Sequence, residues 1–248
     1  MDQNVTEVPE YSLPPLTNGV ILRRYKRFLA DIELENGRVV TAHCANTGAM
    51  TGCWAPGAPA QLSFHDNPRR KLDWSLQRVD MGQGWVGVNT SIVNSIVALF
   101  IQHSLIGELS DWRIHKSEPA FGGQNAENAR FDFLLQRPDK TFCYTEVKSC
   151  TLLMDDELAF PDAVSARARK HLQLLQLAIK QGHRACLIFA VNRPEGDAVS
   201  PASWIDPEYA DELMNATSSG VKALAIRLSH TGQGVRFGGM LPVRIPNP

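Results

Sequence analysis

The hydrophobic period of this chain changes once, near Asn89, and that change limits the fold to a small all-β unit followed by a mixed α/β one. Between Val20 and Val88 apolar residues come in short runs broken by turn signals: GVILRRYKRFLADIEL, RVVTAHC, AQLSFH, KLDWSLQRV and GWVGVN. Asn36-Gly37, between the first two, is the strongest short hairpin signal, because its turn needs residues that tolerate left-handed backbone. About five short strands in so few residues make a small barrel or sandwich. Beyond Asn89 the pattern turns helical, with Ile92, Ile96, Leu99 and His103 on one face of TSIVNSIVALFIQHSL. A hairpin, a helix, a buried strand (RACLIFAVN), a helix (PEYADELMNATSSG) and another strand (VKALAIRLS) follow. The domain expectation is a loose acidic tail over 1–17, a barrel over 18–88 and an α/β domain over 89–248.

The chain has 248 residues, and its 25 Lys+Arg against 26 Asp+Glu leave a net charge of −1. Bulk electrostatics therefore announce no polyanion binder, and any basic surface must be local. The first twenty residues contain acids and prolines but no apolar signal core, and no apolar run approaches membrane-spanning length. The expectation is a cytoplasmic protein with no membrane partner. Its 5 cysteines are scattered and odd in number, which fits reduced thiols. His43, Cys44 and Cys53 lack zinc-ligand spacing, so buried or loop cysteines are expected there.

The residues with most chemistry lie in ARFDFLLQRPDKTFCYTEVKSC, which reads as two strands and a turn. Alternation puts Arg130, Asp132 and Leu134 on one face and Phe131, Phe133 and Leu135 on the other. In the second strand Tyr144, Glu146 and Lys148 share a face, and Cys143, Thr145 and Val147 the other. If the apolar sets back onto one another, Asp132 lies beside Glu146 and Lys148. A loop of three residues (Pro138 to Lys140) or of five pairs Asp132 with Glu146, and one of four does not. Two carboxylates and an ammonium so placed can hold Mg²⁺ or Mn²⁺ and ready a water for attack on a phosphodiester. Glu118, in KSEPAFGG, is a further candidate ligand. The same spacing also fits a solvated hairpin of mixed charge.

Three basic clusters stand out: Arg23, Arg24, Lys26 and Arg27 around Tyr25; Arg69, Arg70 and Lys71 in DNPRRK; and Arg167, Arg169 and Lys170 beside His171. The last lies early in a helix expected over 163–181, with Asp162 as its N-cap and Gly182 as its stop. Cations at a helix N-terminus oppose the macrodipole, and a bound phosphate would offset that. Ala168, Leu172, Leu175 and Ile179 are expected to face the core.

Two motifs fail by context. Gly82-x-Gly84-x-x-Gly87 matches the dinucleotide fingerprint by letter, but Trp85, Val86 and Val88 continue a strand where the fingerprint needs a helix. Those glycines are expected to serve a tight turn or bulge. Ala216, Gly220 and Ile226 fall on helix-turn-helix spacing, but Leu224, Ile226 and Leu228 alternate as in a strand. No G-x-S-x-G elbow, Walker loop or H-E-x-x-H occurs.

RRYKRFLAD, HCANTGAMTGC, DNPRRK, VNT, KSE, FDFLL, EVKSCTL, FPDAV and the following KHL, in that order, resemble the bacterial sugar fermentation stimulation protein family. The resemblance runs from about residue 13 to the C-terminus. It implies an OB-fold-like barrel followed by a PD-(D/E)xK restriction-endonuclease-like α/β domain. In that scheme Asp132 matches the first acid, Glu146 and Lys148 the E-x-K, and Glu118 an upstream acid, while Val147 lends a carbonyl to the metal. It also implies DNA binding with little sequence preference, regulation of maltose metabolism, and a helix-turn-helix near the C-terminus. Two stretches depart from the family pattern: Ala166-Arg167-Ala168 stands where Glu-Arg-Gly is usual, and FGGQNAENAR is longer than usual. The expected function is therefore DNA binding through the phosphate backbone, with a Mg²⁺- or Mn²⁺-dependent nuclease as the alternative. A sugar-binding barrel is a third reading.

Overall fold

A computed structural model describes residues 8–122 and 129–245. The first strand, β1 (Glu10–Ser12), comes from within the expected tail. Six strands then form the barrel: β2 (Leu16–Tyr25), β3 (Leu29–Leu34), β4 (Val39–His43), β5 (Pro59–Phe64), β6 (Trp74–Asp80) and β7 (Trp85–Gly87). Their order is β4-β3-β2-β5-β6-β7, and a parallel pairing of β4 with β6 closes the cylinder. Alternate residues point inward, so Ile21, Ala30, Ile32, Val40, Ala42, Leu62 and Leu76 fill it. Asn36-Gly37 makes the β3–β4 turn, where Gly37 has φ 78°.

The second unit begins with α1 (Val93–Gln102), followed by β8 (Arg113–Ser117), β9 (Ala120–Phe121), β10 (Ala129–Arg130), β11 (Phe133–Gln136) and β12 (Phe142–Cys150). Then come β13 (Leu152–Met154), β14 (Glu157–Phe160), α2 (Ala166–Lys180), β15 (Arg184–Val191), β16 (Val199–Pro201), α3 (Pro207–Ser218), β17 (Lys222–His230) and β18 (Gly234–Leu241). The main sheet runs β1-β18-β17-β15-β12-β11-β8, with β12, β15 and β17 parallel at its centre. From Ala185 on, β15 is buried on both faces, which is why ACLIFAV is an unbroken apolar run. One face packs on α1, Trp112 and Leu109, and the other on α2 and α3. The expected order, a small barrel and then an α/β domain, is the order observed.

Several local expectations are corrected. Ser165, not Asp162, caps α2, its hydroxyl accepting from Ala168 N–H. Asp162 instead accepts from Met50 N–H at 3.1 Å, tying the barrel's 44–53 loop to the approach of α2. The buried face of α1 is Val93, Ile96, Val97, Phe100 and Ile101, while His103 is exposed, so the helix is rotated from its expected face. The tail expectation fails over residues 10–12, which pair antiparallel with β18, a strand the sequence reading did not isolate. The C-terminal helix-turn-helix implied by the resemblance is absent from the described residues: α3 is followed by strand β17. The longer FGGQNAENAR loop lies largely outside the described residues.

Candidate functional site

The turn expected to decide the hairpin register has the length the acids need. Arg137 N–H donates to Thr141 O, leaving Pro138–Lys140 as the loop, and Lys140 takes φ 68°. Phe133 then pairs with Thr145, which places Asp132 and Glu146 at the next opposed positions. Asp132 lies just before β11, where the chain bends, and this overturns the simple alternation. Phe131 turns to the α2 face beside Phe121 and Tyr144, while Phe133 and Leu135 stay on the α1 face.

Each acid is held by specific partners. Asp132 Oδ2 accepts from Val147 N–H at 2.7 Å, and Oδ1 accepts from the Asn94 amide at 2.7 Å. Burial, and then the charge of Glu146, push the Asp132 carboxyl up, against these two hydrogen bonds. Glu146 is only 3% exposed. Its Oε1 accepts from Lys148 Nζ at 2.5 Å and from His171 Nδ1. A carboxylate can only accept, so Nδ1 carries the proton in this contact. Burial alone would raise Glu146, but the His171 hydrogen bond and the Lys148 charge outweigh it, and its pKa is lowered. Its Oε2 is buried and has no partner among the described residues.

His171 and Asn94 were not singled out as site residues from sequence. His171 was grouped with the α2 cations; the helix instead buries it against Glu146. Its spacing from Ala168, Leu172 and Leu175 on the core face could have signalled this. Asn94 carried no signal, because it reaches Asp132 from another element. Glu118 is exposed, and its backbone N–H donates to Asp132 O at 3.0 Å. No group of three or more His, Cys, Asp or Glu side chains is gathered for a metal among the described residues. The five cysteines are buried free thiols; burial pushes Cys143 up to about 11 and Cys150 up to about 12, so neither is poised to react.

The expected DNA contacts divide into engaged and available side chains. Arg23 is bound to Asp31 at 2.7 Å, and Arg24 is spent on the carbonyls of Arg27, Asn46 and Gly48. Arg169 pairs with Asp206 at 2.8 Å and Glu208 at 3.1 Å. Arg70 donates to Leu72 O and Ser75 Oγ. Lys26, Arg27, Arg69, Lys71 and Arg167 are exposed and form no ion pair among the described residues. Lys170 is half-buried on α2.

The dinucleotide-like glycines have a different use. Gly87 N–H donates to Asn192 O at 2.8 Å, and a Cβ there would stand 2.6 Å from His230 Cε1 and 2.8 Å from Asn192 Oδ1. It is a close approach between barrel and sheet.

Comparison with known proteins covers both units. The family model described as SfsA N-terminal OB domain matches residues 22–88, and that described as Sugar fermentation stimulation protein RE domain matches residues 91–234. A sugar fermentation stimulation protein homolog of Geotalea uraniireducens is 44% identical over 231 residues, covering 93% of this chain and 98% of the relative. A homolog of Shewanella frigidimarina is 44% identical over 223 residues, covering 89% and 94%. Among solved structures, Pyrococcus furiosus SfsA in complex with Ca²⁺ is similar with TM-score 0.85 and 26% identity, over 94% of this chain and 98% of that one.

Proposed function

We propose, from the premise that this chain belongs to the sugar fermentation stimulation protein family, that it binds DNA through the phosphate backbone with little regard to sequence. One observation carries the reading. In a chain of net charge −1, the exposed cations Lys26, Arg27, Arg69 and Lys71 collect in two loops at one end of the barrel, with no ion pair among the described residues. Cations kept unpaired in a neutral protein suit a polyanion, whose affinity comes largely from released counterions. The relatives' name ties the family to sugar fermentation, and regulation of sugar use, maltose metabolism included, is the role such binding would serve.

The test is anisotropy of a labelled duplex across a salt series. Affinity should fall steeply with salt and be alike for unrelated sequences. Lys26→Ala with Arg27→Ala and Arg69→Ala should weaken every duplex by the same factor and flatten the salt slope. Salt-independent affinity would overturn the reading.

The acid pair favours a second reading, a Mg²⁺- or Mn²⁺-dependent nuclease. The buried, partnerless Oε2 of Glu146 and the burial-raised carboxyl of Asp132 fit a hard cation with oxygen ligands. The Ca²⁺ in the Pyrococcus relative's structure supports a divalent ion. Asp132 and Glu146 would hold it, with Glu118 at the margin, and the ion when bound supplies an activated water and neutralises charge on phosphorus. Asn94 and Val147 N–H fix the Asp132 carboxylate, and His171 with Lys148 fixes Glu146. Lys148 keeps an ammonium beside the acids for a developing negative charge. Plasmid cutting in Mn²⁺ by the wild type and not by Asp132→Ala supports this reading. Equal binding by both with no cutting removes it.

A further inference from the structure

We infer that a small phosphomonoester binds in a cleft at the starts of β12, β15 and β17, on the sheet face opposite Glu146 and Lys148. Strand alternation builds this cleft. Leu135, Cys186 and Leu224 lie in the core on the α1 face. Arg137, Arg184 and Lys222 each stand two residues farther toward the same end of the sheet, so they project on that face too. The pairings of Leu135 with Cys143, Cys143 with Arg184 and Cys186 with Lys222 bring these strand ends level. The three cations line a cleft of about 240 Å³ together with Glu108 and the buried Trp112, Cys143 and Cys186.

The state of Arg137 points to a ligand. Its guanidinium lies over the Trp112 ring, 4.6 Å from the ring centre. Its Nε is buried and has no hydrogen-bond partner among the described residues. A cation at a solvated rim keeps its N–H groups in water, but this N–H has neither water nor an acceptor, which costs free energy until one arrives. Arg184 and Lys222 are exposed, and like Arg137 they form no ion pair among the described residues. Three cations against the one carboxylate of Glu108 leave the cleft positive. Its floor of buried apolar side chains lowers the local dielectric, so each charge acts more strongly than at an open surface.

Charge and size narrow the guest. A carboxylate brings one negative charge, whereas a phosphomonoester brings about −1.5 to −2 at pH 7 and three strong acceptor oxygens. That matches a guanidinium and two further cations, less one acid. The cleft is smaller than the roughly 300–1,000 Å³ of drug-sized ligand sites, so the body that carries the phosphate is compact. A duplex backbone would touch the exposed ends of Arg184 and Lys222 and leave the recessed Nε of Arg137 without an acceptor. The acids lie on the other face of β12, where Glu146 meets His171 of α2, so this cleft is separate from them.

The test is calorimetric titration of the full chain, at low salt and without DNA, with glycerol 3-phosphate as the probe and glycerol and succinate as controls. One molecule of glycerol 3-phosphate should bind per chain, glycerol should not bind, and succinate should bind more weakly. Arg137→Met, which keeps the packing on Trp112, and Lys222→Ala, at an exposed position, should each weaken glycerol 3-phosphate about tenfold. Arg69→Ala, in the barrel, should leave it unchanged. Thermal melts check that each variant folds, and Lys222→Ala carries the test should Arg137→Met not fold. No binding of the probe, equal affinity in wild type and Lys222→Ala, or an equal loss in Arg69→Ala overturns the site. Succinate bound as tightly as glycerol 3-phosphate overturns its assignment to phosphate. Duplex DNA binding should be unchanged in Arg137→Met; its loss would make the cleft part of a polynucleotide surface and overturn the inference, while the proposed DNA binding itself would stand.

Discussion

Asp132 and Glu146 sit in the same buried site and respond oppositely, because their partners differ. Burial, and then the repulsion of Glu146, outweigh the two neutral hydrogen bonds that Asp132 receives, so its folded pKa is raised. Its folded form then binds a proton more readily than the unfolded chain; that stabilisation holds at low pH and is lost as pH rises through the raised value. At pH 7 and without metal the charge is a burden, so Asp132→Asn should raise Tm by about 2–4 °C, as read by calorimetry. Glu146 has a lowered pKa, and its contribution is present above the usual carboxylate range and lost as pH falls through the depressed value. Glu146→Gln should therefore cost about 3 kcal/mol at pH 7, by stranding Lys148 and His171. If the two amides shift stability in the same direction, the electrostatic account fails. Gly87→Ala is a third test: with His230 and Asn192 against the missing Cβ, it should cost about 2 kcal/mol by urea unfolding. The E-x-K and the opposed Asp were legible in sequence because strand pairing has period two. Asn94 and the turned Phe131 were not, because a bend at 131–132 and a reach from α1 leave no local periodicity.

At the scale of elements, Asp206 ties the start of α2 to the start of α3. Asp206 caps α3 by accepting from Tyr209 N–H at 3.0 Å, and it also accepts from Ser165 N–H and Arg169 at 2.8 Å. Burial alone would raise its pKa, but these hydrogen bonds and the Arg169 charge together lower it. The stabilisation is present above the unfolded carboxylate value and lost as pH falls through the lowered one. Urea midpoints from pH 7 down to pH 3 should therefore fall more for the wild type than for Asp206→Asn. Asp206→Ala should cost about 3 kcal/mol at pH 7 through the lost cap and the unpaired Arg169. Equal acid sensitivity in wild type and Asp206→Asn would count against the acid as hub. Both helices were legible from period and from Pro207, but the cap of α2 was not. Asp162 and Ser165 are both good caps by type, and the winner depends on Met50 drawing Asp162 away.

For the whole molecule, the junction between barrel and sheet is held by buried polar side chains. Arg78, fully buried, donates to Gln61 Oε1 and Thr231 O at 2.6 Å and to Gly232 O at 2.8 Å, so a barrel cation grips the β17–β18 turn. Beside it, burial and the Arg78 charge push His230 down to about 3, keeping it neutral. Arg78→Met should leave those carbonyls unsatisfied and uncouple the units, so a calorimetric scan should split from one transition into two. A single unshifted transition would show that the junction carries no coupling. The order of units, the strand-rich first part and the acid–acid–lysine spacing were set by the sequence itself, because alternation, helical period and turn chemistry act over a few residues. Which cations stay free, which residue orients each carboxylate and how the units lock together were decided only by tertiary structure. Those outcomes depend on groups far apart in the chain competing for the same donors and acceptors, and no local pattern records who wins.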